Sequence, residues 1–115
     1  MHSETGFSTL EYHVLLAMAS GPLYGYAIKE AVEVESRGAL APRAGSLYRV
    51  IARLMSWGFV REATPKGEVE PHPGRARRYY ALTPEGRSAL AEESARLKTV
   101  AALAERRLRM AGGRR

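Results

Sequence analysis

The sequence predicts a mainly α-helical fold with a small β-hairpin. Three observations carry that prediction. Residues 9–57 hold successive short stretches with helical apolar spacing, two strand-like runs flank a Pro- and Gly-rich stretch, and a long helical stretch follows to about residue 110. Helices, hairpin and long helix in that order make a winged helix-turn-helix plus a C-terminal dimerisation helix. The expected division is 1–82 for the winged domain, 83–111 for the helix and 112–115 for a basic tail.

The first helix starts at a capping box, Ser8-Thr9-Leu10-Glu11, in which hydroxyl and carboxylate each satisfy a backbone amide of the other. It runs to about Ala19 and stops at Ser20-Gly21-Pro22. Leu10, Val14, Leu15, Leu16, Ala17 and Met18 wrap more than one face, the mark of a helix between two layers, one of which a second subunit could supply. A second helix, Tyr24 to about Ser36, buries Tyr24, Ala27, Ile28, Ala31 and Val32 and ends at Arg37-Gly38. The third covers about Ala44 to Trp57, with Leu47, Val50, Ile51 and Leu54 as its stripe and Gly58 just past its end. A strand from Phe59 to about Ala63 follows, then a loop over 64–75 with three Pro and two Gly, then a returning strand over 76–82. Thr83 caps the fourth helix and Pro84 occupies its first position, where a missing N–H costs nothing.

Composition narrows the function. One hundred and fifteen residues fit one domain with a modest core. The absence of Cys removes disulfides, thiolate metal sites and Cys nucleophiles, and suits a reducing compartment. No run approaches the ~18 apolar residues of a membrane span, and the opening MHSETGFSTL is too polar for a signal peptide, so a cytoplasmic location and no membrane partner are expected. Every acid is Glu, and the net charge of +6 is uneven. Residues 1–36 carry five Glu against one Lys, whereas 37–87 carry ten basic residues against four acidic and 88–115 seven against three. A basic second half points to a polyanion, most often nucleic acid.

On a helical wheel the third helix places Gly45, Arg49, Ala52, Arg53 and Ser56 opposite its apolar stripe, with Ser46 and Tyr48 on the flanks. Arginine among small residues can approach a duplex groove closely and offers a fork of donors to guanine or phosphate. The plainer reading is a solvated helix back, but the adjoining hairpin and local charge favour DNA. Lys66, Arg75, Arg77 and Arg78 in the loop and returning strand would then meet the backbone or minor groove; otherwise they discourage edge pairing. Tyr79 and Tyr80 alternate across that strand, so at least one packs inward.

Along the fourth helix Leu90, Ser94, Leu97, Ala101, Ala104 and Leu108 repeat with heptad spacing, widened by Val100 and Leu103. Such a seam can fold back on its own domain or join a second copy. The globular part already has its own stripes, which favours a homodimer, with Leu15 and Leu16 of the first helix contributing. Two-fold related recognition helices lie about 34 Å apart and call for a near-palindromic operator. Catalysis has no basis: His2, His13 and His72 are scattered, Asp and Cys are absent, and no cofactor or metal is implied.

Three stretches resemble the PadR family of bacterial transcriptional regulators: GPLYGYAIKEAV at 21–32, GSLYRVIARLMSWGFV at 45–60 and GRARRYYALTPEGRSAL at 74–90. With the first helix they span nearly the whole chain in register. The resemblance implies a dimeric winged-helix DNA-binding protein, commonly a repressor released by small molecules. It assigns Ser46, Tyr48, Arg49 and Arg53 to groove or phosphate contacts and Arg75, Arg77 and Arg78 to the wing. Where the family often has acids before the helix-ending Gly, this chain has Met55-Ser56-Trp57. A single C-terminal helix is similar to the family's short form, so any effector belongs at the dimer interface near the first and fourth helices. The alternative is a winged-helix module whose basic face binds an acidic protein.

Overall fold

The structure is a computed structural model, which describes residues 6–64 and 78–112. Its elements are α1 (Thr9–Ala17), β1 (Leu23–Tyr24), α2 (Gly25–Glu35), α3 (Ala44–Ser56), β2 (Val60–Ala63), β3 (Tyr79–Leu82) and α4 (Pro84–Gly112). This is the expected mainly helical winged architecture with one addition. The hairpin β2–β3 gains a third antiparallel strand, β1, giving the order β1-β3-β2. Leu23 pairs with Tyr80 and Tyr24 with Tyr79, while Val60 faces Leu82 across the hairpin. Two residues leave too short a run for a period-of-two pattern, so Tyr24 reads from sequence as the start of α2.

The caps follow the sequence. Ser8 Oγ accepts from the Glu11 amide at 3.1 Å, and the Glu11 carboxylate accepts from the Ser8 amide at 2.9 Å. Gly58 ends α3 at φ +84°; its amide donates to Met55 O and that of Phe59 to Leu54 O, the paired bonds of a Schellman turn. Thr83 Oγ1 accepts the Gly86 amide at 2.9 Å and donates to Gly58 O at 2.6 Å, so a single hydroxyl caps α4 and ties it to the end of α3.

One core joins all four helices to the sheet. Val14, Leu15 and Met18 of α1, Ile28 and Val32 of α2, Leu47, Ile51 and Leu54 of α3, Val60, Tyr80 and Leu82 of the sheet, and Leu90 of α4 are buried together. Each such aliphatic side chain contributes about 1.5–3 kcal/mol relative to exposure. Most of the apolar wrap of α1 is covered by α2, α3 and α4 of the same chain, whereas Leu16 stays half-buried outside the core cluster. Leu15, at 0% exposure, and Leu90, at 9%, are buried in the protomer's own core.

Beyond Leu90 the fourth helix leaves the domain. Its last ties are Glu93, which is buried with its carboxylate next to Gly6, and Ser94, which shares a 2.7 Å hydrogen bond with the Tyr12 hydroxyl of α1. Ser94 is thus engaged within the chain. From Leu97 onward the seam is open: Leu97, Ala101, Ala104 and Leu108 are exposed, as are Val100 and Met110. Twenty-nine helical residues span roughly 43 Å at 1.5 Å each, which accounts for a long axis of 65 Å against 29 and 26 Å.

Candidate nucleic-acid interface

The outer surface of α3 is held by the packing beneath it. Leu47, Val50, Ile51 and Leu54 are buried, so the opposite face is fixed in orientation, and Gly45, Arg49, Ala52, Arg53 and Ser56 are all exposed there. Small residues at 45 and 52 leave the backbone open to close approach between the longer arms. The first turn of α3 carries no side-chain cap, since Arg43 stands at the N-cap.

Each predicted contact residue has a definite neighbour. Ser46 is half-buried, and its hydroxyl accepts from Arg49 Nη2 at a long 3.4 Å. Tyr48 is 46% exposed, with its phenol lying over the first residue of α2, where a Cβ on Gly25 would overlap the Tyr48 hydroxyl. That close approach explains why a glycine opens α2, despite its low helix propensity. Arg53 differs most from the sequence expectation of a free cation. Its Nε lies 3.1 Å from the Glu11 carboxylate, and its guanidinium carbon is 5.9 Å from the centre of the Trp57 ring. Trp57 itself is half-buried at the end of α3.

Arg78 stands exposed immediately before β3. Tyr80 is buried, while Tyr79 is half-buried and packs edge-on against Tyr24 of β1 at 5.8 Å. Burial pushes the Tyr80 phenol above its ordinary range, the nearby Tyr48 adds to this, and Arg78 opposes it. Tyr80 is therefore a neutral core residue at physiological pH. Lys66, Arg75 and Arg77 lie outside the described residues.

Sequence reasoning assigned Glu11 to the cap of α1 and missed its second partner. No local signal marks it, because the ion pair joins positions forty-two apart through the tertiary fold. Among the described residues no group of three or more His, Cys or acidic side chains could hold a metal, and no helix is long and apolar enough to cross a membrane.

Comparison with known proteins places this geometry. Residues 14–92 match the transcriptional regulator PadR-like family. The chain belongs to that family. PadR proteins are transcriptional regulators, not enzymes. A PadR-like transcription factor from Bacteroides fragilis superposes with a TM-score of 0.66 at 30% identity, over 84% of this chain and 87% of that one. Bacillus subtilis PadR, solved in complex with operator DNA, gives a TM-score of 0.61 at 23% identity, over 73% and 45%. An uncharacterised 37.1 kDa protein in transposon TN4556 of Streptomyces fradiae is 43% identical over 81 residues. That match takes in 70% of this chain but 21% of the relative's length.

Proposed function

We propose that the chain is a homodimeric, sequence-specific DNA-binding regulator, acting as a repressor released by a small-molecule effector. The observation that carries DNA binding is the outer face of α3, where Arg49 and Arg53 stand exposed among Gly45, Ala52 and Ser56 above a fully buried stripe. The net charge of +6 and the operator complex of the Bacillus subtilis relative support the same partner. Ser46, Tyr48, Arg49 and Arg53 serve as groove or phosphate contacts, and Arg78 with Lys66, Arg75 and Arg77 serves the wing. Residues 1–82 form the reading domain, 83–111 the pairing helix and 112–115 a basic tail.

Dimerisation rests on the distal half of α4, where Leu97, Val100, Leu108 and Met110 are exposed at 38%, 50%, 73% and 58%. A second copy covering them would set two α3 helices on successive groove faces about 34 Å apart, matching a near-palindromic operator. Repression and release by an effector follow from the family resemblance, with the effector at the dimer interface near α1 and α4 and the protein in the cytoplasm.

The test is selection of duplexes from a random pool, followed by titration against unselected DNA at two salt concentrations. A preferred near-palindrome is expected, with affinity falling steeply as salt rises. Arg49→Ala should cost about 1–3 kcal/mol on that duplex and relax one position in each half-site. A pool that yields no preferred sequence would overturn the reading, and an unchanged affinity would remove Arg49 from it.

A further inference from the structure

We infer that Glu11 is a positioning residue for DNA recognition: it holds Arg53 of α3 in one orientation toward an acceptor on the duplex. The two carboxylate oxygens have separate tasks. One accepts from the Ser8 amide at 2.9 Å and caps α1; the other meets Arg53 Nε at 3.1 Å. Glu11 is 7% exposed, whereas the Arg53 side chain remains 47% exposed. The buried end of the pair is therefore anchored and the guanidinium reaches the surface.

Chemistry favours orientation over simple attraction. A carboxylate beneath an arginine offsets part of its charge, which weakens long-range pull on phosphate. What it supplies in return is geometry, because a planar guanidinium fixed through Nε has its outer nitrogens directed before DNA arrives. Trp57, 5.9 Å from the guanidinium carbon, limits the remaining freedom. Arg49 has no comparable clamp among its described contacts, only the long bond to Ser46.

This role rests on the DNA-binding reading above, and Glu11→Gln separates the two tasks. Glutamine keeps an oxygen for the Ser8 amide, as capping boxes accept either residue, but it replaces the charged oxygen facing Arg53. On the duplex selected by the wild-type chain, Glu11→Gln should weaken binding about tenfold, the scale of one well-placed arginine contact. In an Arg53→Ala background the same change should have no further effect. Arg53→Lys, which keeps the charge but loses Nε and the planar fork, should reproduce the loss without touching Glu11. Thermal unfolding of each variant checks the fold. A loss confined to the selected duplex marks a base edge as the acceptor, and an equal loss on random duplexes marks a phosphate. Binding that stays the same or tightens, as removal of a negative charge alone requires, overturns the role, and so does a loss that persists without Arg53. If the wild-type chain selects no duplex at all, the DNA reading itself fails.

Discussion

Two helices of this chain carry more apolar surface than a single solvated helix needs, and they dispose of it differently. In α1 most of the excess is absorbed inside the protomer, with Val14, Leu15 and Met18 all at 0% exposure and Leu16 half-buried. In α4 the first turns are absorbed through Leu90, but the stretch from Leu97 onward leaves the domain with Leu108 at 73% exposure. The difference teaches that an apolar seam reports the need for a partner, while the fold decides whether the partner lies in the same chain. Helix α1 sits where three other helices converge. Helix α4 outruns the domain after about three turns.

The largest effect should come from the absorbed helix. Leu15→Ala removes a fully buried side chain and should cost about 2–5 kcal/mol of protomer stability in denaturant unfolding. A much smaller loss would mean that α1 is less enclosed than its burial indicates. Leu97→Glu tests the other side of the comparison. It should raise the dimer dissociation constant roughly thirtyfold or more, on the scale of a central interface residue, with the protomer's unfolding little changed. Sedimentation of the variant checks this, and a dimer that survives unchanged would move the interface off distal α4. The smallest effect belongs at the junction between the two regimes. Ser94→Ala loses one hydrogen bond to Tyr12 and should cost about 0.5–1.5 kcal/mol of stability. A larger cost would make Ser94 part of the pairing surface as well.

Much of the fold was legible because its signals are local. The Ser8–Glu11 box, the Gly58 turn, the Thr83-Pro84 start and the stripe of α3 each lie within a few residues of sequence, and each appears where expected. What escaped depends on distance along the chain. Strand β1 exists only because β3 returns beside Leu23 and Tyr24, and a two-residue strand leaves no pattern of its own. The burial of Leu15 and Leu90 inside the protomer escaped for the same reason, since periodicity identifies an apolar face without naming what covers it. Within the candidate site, the wheel located the exposed face of α3 correctly. It could not show that Arg53 is bound to Glu11, nor that Tyr48 rests on Gly25, because both contacts join separate helices.

The most direct measurement of the central claim is the number of chains on one selected duplex, obtained by sedimentation equilibrium of the complex. Two protomers of 12.7 kDa each per near-palindromic site is the predicted result, with the same stoichiometry lost in Leu97→Glu. A single protomer bound with full affinity to a half-site would contradict a paired pair of recognition helices joined through α4.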